Sequence, residues 1–477
     1  MKPKEITFGL LMIGDYMMSS PLSPLNLNKL TAYPQGSMGE LWQISFPLML
    51  SLMSVSLMLF LDRLFLANYS LEALNASANA GILVQFLQFW CISTVSVAEI
   101  FVGRYNGSKK FEKLGQPVWQ MIWLSLASFF WFIPLALWTG PYFFDGHPSA
   151  LLEIEYFKYL LCFGPLAALS GAISAFYIGQ GQVKCVTCIM AVSNLVNIGL
   201  DYLLIFGWEP WIPALGIKGA AIATGIALTV QVVIFGWDFF KASNRKEKGT
   251  NKWRINKRLF RKSLSIGIPN AFAHTLELMA WVLIFHLMTK LGTDYITVVT
   301  VAQSIFFLFT FMTEGVSKGA TAIAANFFGA EQHELVWKLL KSGLKLYLFV
   351  FLLLGVILVW YPDPLIHLFL VQKETLSPAV LSTLHAACFW VWLFFLFDGI
   401  NWLLVGLLTA AGDTRFIMKV GGTGPWIVAL LPIYFFVFKW GAPANIAWML
   451  IALYGVVSSL IYLWRFKTEK WKYAFAT

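Results

Sequence analysis

Charge is what this sequence lacks most. Asp, Glu, Lys and Arg make up 12% of its 477 residues, while 58% are hydrophobic; an ordinary soluble domain carries about 25% charged residues. A soluble enzyme of this composition would expose too much apolar surface, and a disordered chain is excluded by the same hydrophobicity. Cysteine is sparse too. Five scattered cysteines build no disulfide framework, and the Cys185/Cys188 pair has no second pair to complete a zinc site. His147, His286, His333, His367 and His385 show no metal-ligand spacing. Walker loops, HExxH, GxSxG and GxGxxG are all missing, so ATP-driven transport and the common hydrolytic chemistries have no residues to work with. No enzyme activity and no resident cofactor or metal is expected.

What the chain does have is long apolar runs. A hydrocarbon core of about 30 Å requires ~20 apolar residues in a helix. That ruler places spans near 42–66, 79–102, 117–139, 157–178, 187–207 and 219–240, then 264–289, 295–324, 337–360, 379–407, 417–438 and 443–465. The runs are continuous and lack the short alternating pattern of outer-membrane strands. The predicted fold is therefore an all-α polytopic membrane protein with twelve transmembrane helices. Of 34 Lys and Arg, 24 fall in the even-numbered loops and the C-terminal tail (103–115, 179–184, 241–262, 329–345, 412–419, 465–472). The positive-inside rule then puts both termini in the cytoplasm of a multi-pass cell-membrane protein. The net charge of +10 is topological, facing anionic lipid headgroups, and no nucleic-acid partner is expected. Residues 1–40 read as a leader with no clear cleavage site and no span: a mobile segment, an amphipathic surface segment, or untranslated sequence ahead of a start at Met38.

One constant offset relates the two halves. Pro47 and Pro269, Gly107 and Gly329, and Glu112 and Glu334 are each 222 residues apart. The chain thus divides into an N-lobe at 41–240, a basic linker at 241–262, a homologous C-lobe at 263–466 and a tail at 467–477. An even number of helices per lobe makes the copies parallel, with the substrate path expected between them.

Ionisable groups inside spans are costly, and they mark ion or substrate pathways. On helix 5, Asn194, Asn197 and Asp201 share one face, and Asp62 ends a polar stripe on helix 1, so these two helices are expected to close one site. His274 and Glu277 are one turn apart on helix 7, and Asp398 and Asn401 one turn apart on helix 10, giving a second. Glu314 and Lys318 on helix 8 are expected to neutralise one another, and Glu99 has Arg104 within reach. A buried carboxyl can exchange a proton or hold a cation. Either behaviour couples to the membrane potential, where one charge crossing 100 mV releases ~2.3 kcal/mol, sustaining a roughly 50-fold gradient.

The run ISFP with FLDRLFLA, then VGRYNGSKK, NLVNIGLDYLLIFG and IPALGIKGAAIAT, followed in the second half by GIPNAFAHTLELMAW, NFFGAEQ and FDGINWLLVGLLTAAGDT, resembles the multidrug and toxic compound extrusion (MATE) family, in its NorM-like branch. The resemblance spans about 41–466. It implies two six-helix lobes, alternating access, and export of amphipathic, cationic small molecules by a monomer in exchange for Na+ or H+. By the same resemblance, Glu277 and Asp398 stand where the family has its C-lobe cation site. Asp62, Asn197 and Asp201 stand where it has its N-lobe proton or cation site. Helical spacing and intramembrane charge, apart from the resemblance, add Asn194, His274, Asn401, Glu314 and Lys318 as candidate accessory residues. Glu314 and Lys318 depart from the family's usual apolar pattern. The alternatives are a lipid-linked precursor flippase of the same superfamily and, further off, a polytopic membrane enzyme.

Overall fold

The computed structural model describes residues 29–369 and 378–475. Twelve helices in it are long and apolar enough to cross a membrane. In the N-lobe they are α1 (Met38–Tyr69), α2 (Leu71–Gly107), α3 (Phe111–Trp138), α4 (Ala150–Gly179), α5 (Val183–Phe206) and α6 (Ile217–Phe239). In the C-lobe they are α7 (Lys257–Leu291), α8 (Asp294–Gly329), α9 (His333–Trp360), α10 (Pro378–Ala411), α11 (Thr414–Lys439) and α12 (Asn445–Lys467). Each coincides with a span expected from hydropathy, and several reach beyond it because capping residues set helix ends. The Ser70 hydroxyl accepts from the backbone N–H groups of Glu72 and Ala73, starting α2 in polar sequence. Asn256 does the same for Leu259 at the head of α7. Ser37 caps α1 by accepting from Glu40 N, while Glu40 Oε2 accepts from Gly36 N at 2.6 Å. In α11, Pro425 and Pro432 each remove a backbone donor, and wide π-type turns take up the slack over Pro425–Leu430 and Tyr434–Lys439.

Within the N-lobe α5 packs on α1 and α6, and within the C-lobe α10 packs on α8 and α12. The repeat is visible in backbone detail. Lys109 and Glu331, 222 residues apart, are both left-handed, with φ of 58° and 60°, in the turns that follow α2 and α8.

The lobes share a core only at the end that carries the basic loops. There one apolar cluster runs from Leu41, Val95 and Phe101 of the N-lobe into Val316, Ala325 and Leu404 of the C-lobe. Toward the opposite end the C-lobe has its own separate core, built around Ile305, Phe394 and Trp448. Two glycines permit the seam. A Cβ on Gly107 would overlap the backbone carbonyl of Asn326, and a Cβ on Gly329 would overlap that of Arg104. Because Arg104 and Asn326 are themselves 222 residues apart, this is one contact made twice by a pseudo-two-fold axis. Polar side chains lock it. Asn106 Nδ2 donates to Asn326 Oδ1 at 2.7 Å, and Asn326 Nδ2 donates to Gly179 O at 2.9 Å. Arg104 donates to Ala410 O at 2.8 Å beneath the Phe475 ring, 3.6 Å away. On the N-terminal side, Lys338 and Ser342 of α9 donate to the carbonyls of Gln35 and Gly36. Phe89 of α2 touches His274 of α7 across the lobes. The separate C-lobe core and the exposed side chains of Leu57 on α1 and Phe307 on α8 point to a cleft between the lobes that opens away from the basic loops.

Candidate cation and substrate sites

The N-lobe cluster forms where α1 and α5 cross. Asp201 and Asn197 are fully buried, and Asp62 is 6% exposed. Asp201 faces both Asp62 and Asn197. Neither Asp201 oxygen, nor Oδ1 of Asp62 or of Asn197, receives a hydrogen bond from a donor among the described residues. Two carboxyl groups in such contact, away from water, cannot both stay ionised unless a cation lies between them; otherwise they share a proton. The surrounding frame is fixed. Asn194 Nδ2 donates to Ser54 Oγ at 2.8 Å, tying α5 to α1, and Ser51 Oγ donates to Thr187 Oγ1 at 2.9 Å. Asn197 Nδ2 leans on Thr224 Oγ1 of α6 at 3.5 Å. Asn194 is thus tied through its amide nitrogen, and the buried oxygens without a donor among the described residues belong to Asp62, Asn197 and Asp201.

The C-lobe cluster lines a small cavity between α7, α10, α11 and α12. His274 Nδ1 lies 3.6 Å from Glu277 Oε2, and Tyr454 OH donates to Glu277 Oε1 at 3.5 Å. Asp398 sits opposite, its Oδ2 without a partner among the described residues. Glu277 keeps 28% of its side chain exposed, so it meets the cleft while Asp398 stays behind it. Asn401 is engaged as a tie: Ser459 Oγ donates to its Oδ1 at 3.0 Å, and its Nδ2 donates to Gly455 O at 3.3 Å. His274 stacks on Trp402 with ring centroids 5.3 Å apart and touches Phe89 of the N-lobe edge-on. It stands on the cleft wall. Among the described residues no three His, Cys, Asp or Glu side chains gather as a metal cage. Each cluster offers two carboxyl groups with neutral oxygens, a donor set for a proton or an alkali cation.

Two pairings that helical spacing allows do not form among the described residues. Among the described residues Glu314 and Lys318 make no ion pair, although each lies in the field of the other. Their helical spacing allows contact, but Lys318 is exposed to the cleft, where water competes for its ammonium. Arg104 turns away from Glu99 to the Ala410 carbonyl and the Phe475 ring, because Glu99 lies more than one helical turn back toward the cleft. Sequence reasoning also missed three tyrosines. Tyr454 and Tyr462 on α12 line the C-lobe cavity, and with Ser458 they form an i, i+4, i+8 polar stripe that was readable in an otherwise apolar helix. Tyr156 of α4, buried beside Asp62 and Asp201, carried no comparable signal.

A helical bundle of two parallel repeats, with a pair of acids inside the spans of each and a cleft between them, is the architecture of a membrane transporter rather than an enzyme. The MatE family profile matches residues 47–203 and 269–435, once in each lobe, and the chain belongs to that family of membrane transporters. It is 24% identical over 426 residues to "Probable multidrug resistance protein NorM" of Thermotoga maritima, covering 86% of this chain and 88% of that one. A protein of the same description from Synechocystis is 24% identical, covering 91% and 95%. "Uncharacterized transporter YisQ" of Bacillus subtilis is 22% identical, covering 83% and 87%. Among solved structures, a point mutant of a MATE protein superposes with a TM-score of 0.82 at 15% identity over 94% of this chain and 99% of that one. An outward-facing multidrug resistance MATE family transporter of the MOP superfamily gives 0.78 at 15% identity, covering 92% and 97%. Both structures share this fold.

Proposed function

We propose that this chain exports amphipathic organic cations across the cell membrane in exchange for Na+ or H+, the lobes rocking about their seam to expose the cleft alternately to each side. Two acid clusters inside the spans, with unsatisfied buried oxygens on Asp62, Asp201 and Asp398, carry the reading, because such groups persist in a membrane where they bind and release a cation. The relatives named as probable multidrug resistance proteins support the substrate class. The basic loops support cytoplasmic termini; on that reading the present arrangement is outward-open. A flippase of lipid-linked precursors would favour a broadly cationic cavity, whereas acids predominate here.

The test is uptake of a fluorescent organic cation into proteoliposomes under imposed sodium or proton gradients. Wild-type protein should move the dye only while one gradient stands. Glu277→Gln or Asp398→Asn should lower that rate at least about tenfold if the C-lobe couples, and Asp62→Asn or Asp201→Asn if the N-lobe does. Undiminished gradient-driven uptake in all four variants would refute the coupling roles.

A further inference from the structure

Two hollows flank the seam between the lobes outside the cleft, and the transport scheme uses neither. The first lies at the end with the basic loops, between α3 and the head of α7. Lys252, Arg254, Lys257 and Arg258 line it together with Gln116 and Gln120 of α3, and no acid among the described residues does. Lys252 donates to the Glu112 carbonyl at 3.0 Å. Arg254, Lys257 and Arg258 are exposed and form no ion pair among the described residues. On α3 beside them, Trp123 Nε1 donates to Trp253 O at 2.8 Å, and such indoles sit at headgroup level in a membrane.

The second hollow, a groove of about 420 Å³, is walled by α2, α3 and α7. Trp90, Leu124, Trp131, Leu135, Leu264 and Ile268 are among its lining, which holds no acid or base. The Thr94 hydroxyl, at its back, already donates to Trp90 O at 2.8 Å. There the lobes touch, since a Cβ on Gly267 would lie 2.8 Å from Thr94 O. The two hollows follow the same helix faces. On α7, Lys257 of the first and Leu264 and Ile268 of the second stand at i, i+7 and i+11, with Arg261 between them. On α3, Gln116 and Gln120 give way to Leu124 at the same four-residue step. Arg261 precedes Leu264 by about 4.5 Å along the axis, close to the interfacial layer of roughly 5–7 Å that each leaflet adds to the hydrocarbon core. At ~100° per residue, this face of α7 is roughly a third of a turn from His274, and Cys91 and Thr94 on α2 lie roughly opposite Phe89. The groove is therefore on the outer surface of the bundle, away from the cleft wall where Phe89 meets His274.

Unpaired bases at the membrane surface attract an anion, and an apolar groove directly below them accepts a hydrocarbon chain. An anionic phospholipid carries both. We propose that these hollows form a site for one anionic phospholipid of the leaflet on the basic-loop side, with its phosphate among Arg254, Lys257 and Arg258 and an acyl chain in the groove. Because α3 belongs to the N-lobe and α7 to the C-lobe, the bound lipid bridges the seam. Diffuse attraction of basic loops to a charged membrane needs the bases alone; the groove adds a place for one molecule.

Purified full-length protein, stripped of lipid in a neutral detergent, is titrated with phosphatidylglycerol or with phosphatidylcholine of the same acyl chains, and bound lipid is counted by native mass spectrometry. Wild-type protein should hold one phosphatidylglycerol at least about tenfold more tightly than phosphatidylcholine. Arg254→Gln/Arg258→Gln should weaken that binding roughly 25-fold, about fivefold for each base lost. Ile268→Trp fills the groove without altering charge, at a side chain already 39% exposed, and should weaken it at least about fivefold. Glycerol phosphate, the head without the chains, should not displace the lipid. A wild-type protein with no preference for phosphatidylglycerol would overturn the proposal, and decides the matter even where a variant does not fold. Weakened binding in the arginine variant with full binding in Ile268→Trp would reduce the site to diffuse attraction and overturn it. Displacement by glycerol phosphate would do so too, by showing a pocket for free phosphate.

Discussion

Replacing Gly107 by alanine should loosen the closed end of the transporter. The added Cβ would lie 2.8 Å from the carbonyl carbon and 3.0 Å from the Cα of Asn326, closer still to its oxygen, where ordinary contact begins at 3.4 Å. The obstructing atoms are backbone, so no rotamer change relieves them; the lobes must part by at least about 0.6 Å at the crossing. Overpacking of this kind costs about 1–3 kcal/mol, and the 2.7 Å Asn106–Asn326 hydrogen bond beside it stretches at the same time. If the opposite conformation carries no such contact, the closed-to-open ratio falls roughly 5- to 150-fold. Gly329→Ala should act the same way, since its Cβ meets the equivalent carbonyl of Arg104. The double variant should cost less than the sum, because one displacement relieves both clashes. Spin labels at the exposed positions Lys109 and Glu331, in a background lacking the partly accessible Cys162, Cys185 and Cys188, report the gap. Wild-type protein should give a single short distance by double electron–electron resonance, and each glycine variant a growing population at longer distance. Identical distributions in wild type and both single variants would show that the glycines do not hold the seam.

Two further predictions concern stability. Asp201→Asn gives Asp62 an amide donor in place of a facing carboxyl, and should raise the stability of the purified protein by about 1–3 kcal/mol, read as an increased melting temperature, even as it impairs coupling; a marked fall would contradict the confrontation of acids described here. Arg465 grips Asp413 with two hydrogen bonds of 2.7 and 3.1 Å, and the Asp413 side chain is 7% exposed. Arg465→Ala should therefore cost about 2–4 kcal/mol by stranding a carboxylate, with Arg465→Ala/Asp413→Ala recovering part of the loss in a double-mutant cycle.

Sequence by itself determined the class and the order of the parts. Helices in a bilayer must satisfy their own backbone and be apolar for ~20 residues, so twelve spans and the repeat offset of 222 could be read directly, while the helix ends could not. Acids inside such spans are rare enough to be noticed one at a time, which is why Asp62, Asp201, Glu277 and Asp398 stood out. Their partners did not, because partnership depends on which helix faces which across the bundle. Only the tertiary structure put Tyr156 beside the N-lobe acids, tied the amide nitrogens of Asn194 and Asn401 to neighbouring helices, and drew Arg104 away from Glu99 to a carbonyl and an aromatic ring. It also decided that Glu314 and Lys318, neighbours by helical spacing, stay apart. Spacing along one helix says that two groups can meet; the water in the cleft and the opposite lobe determine whether they do.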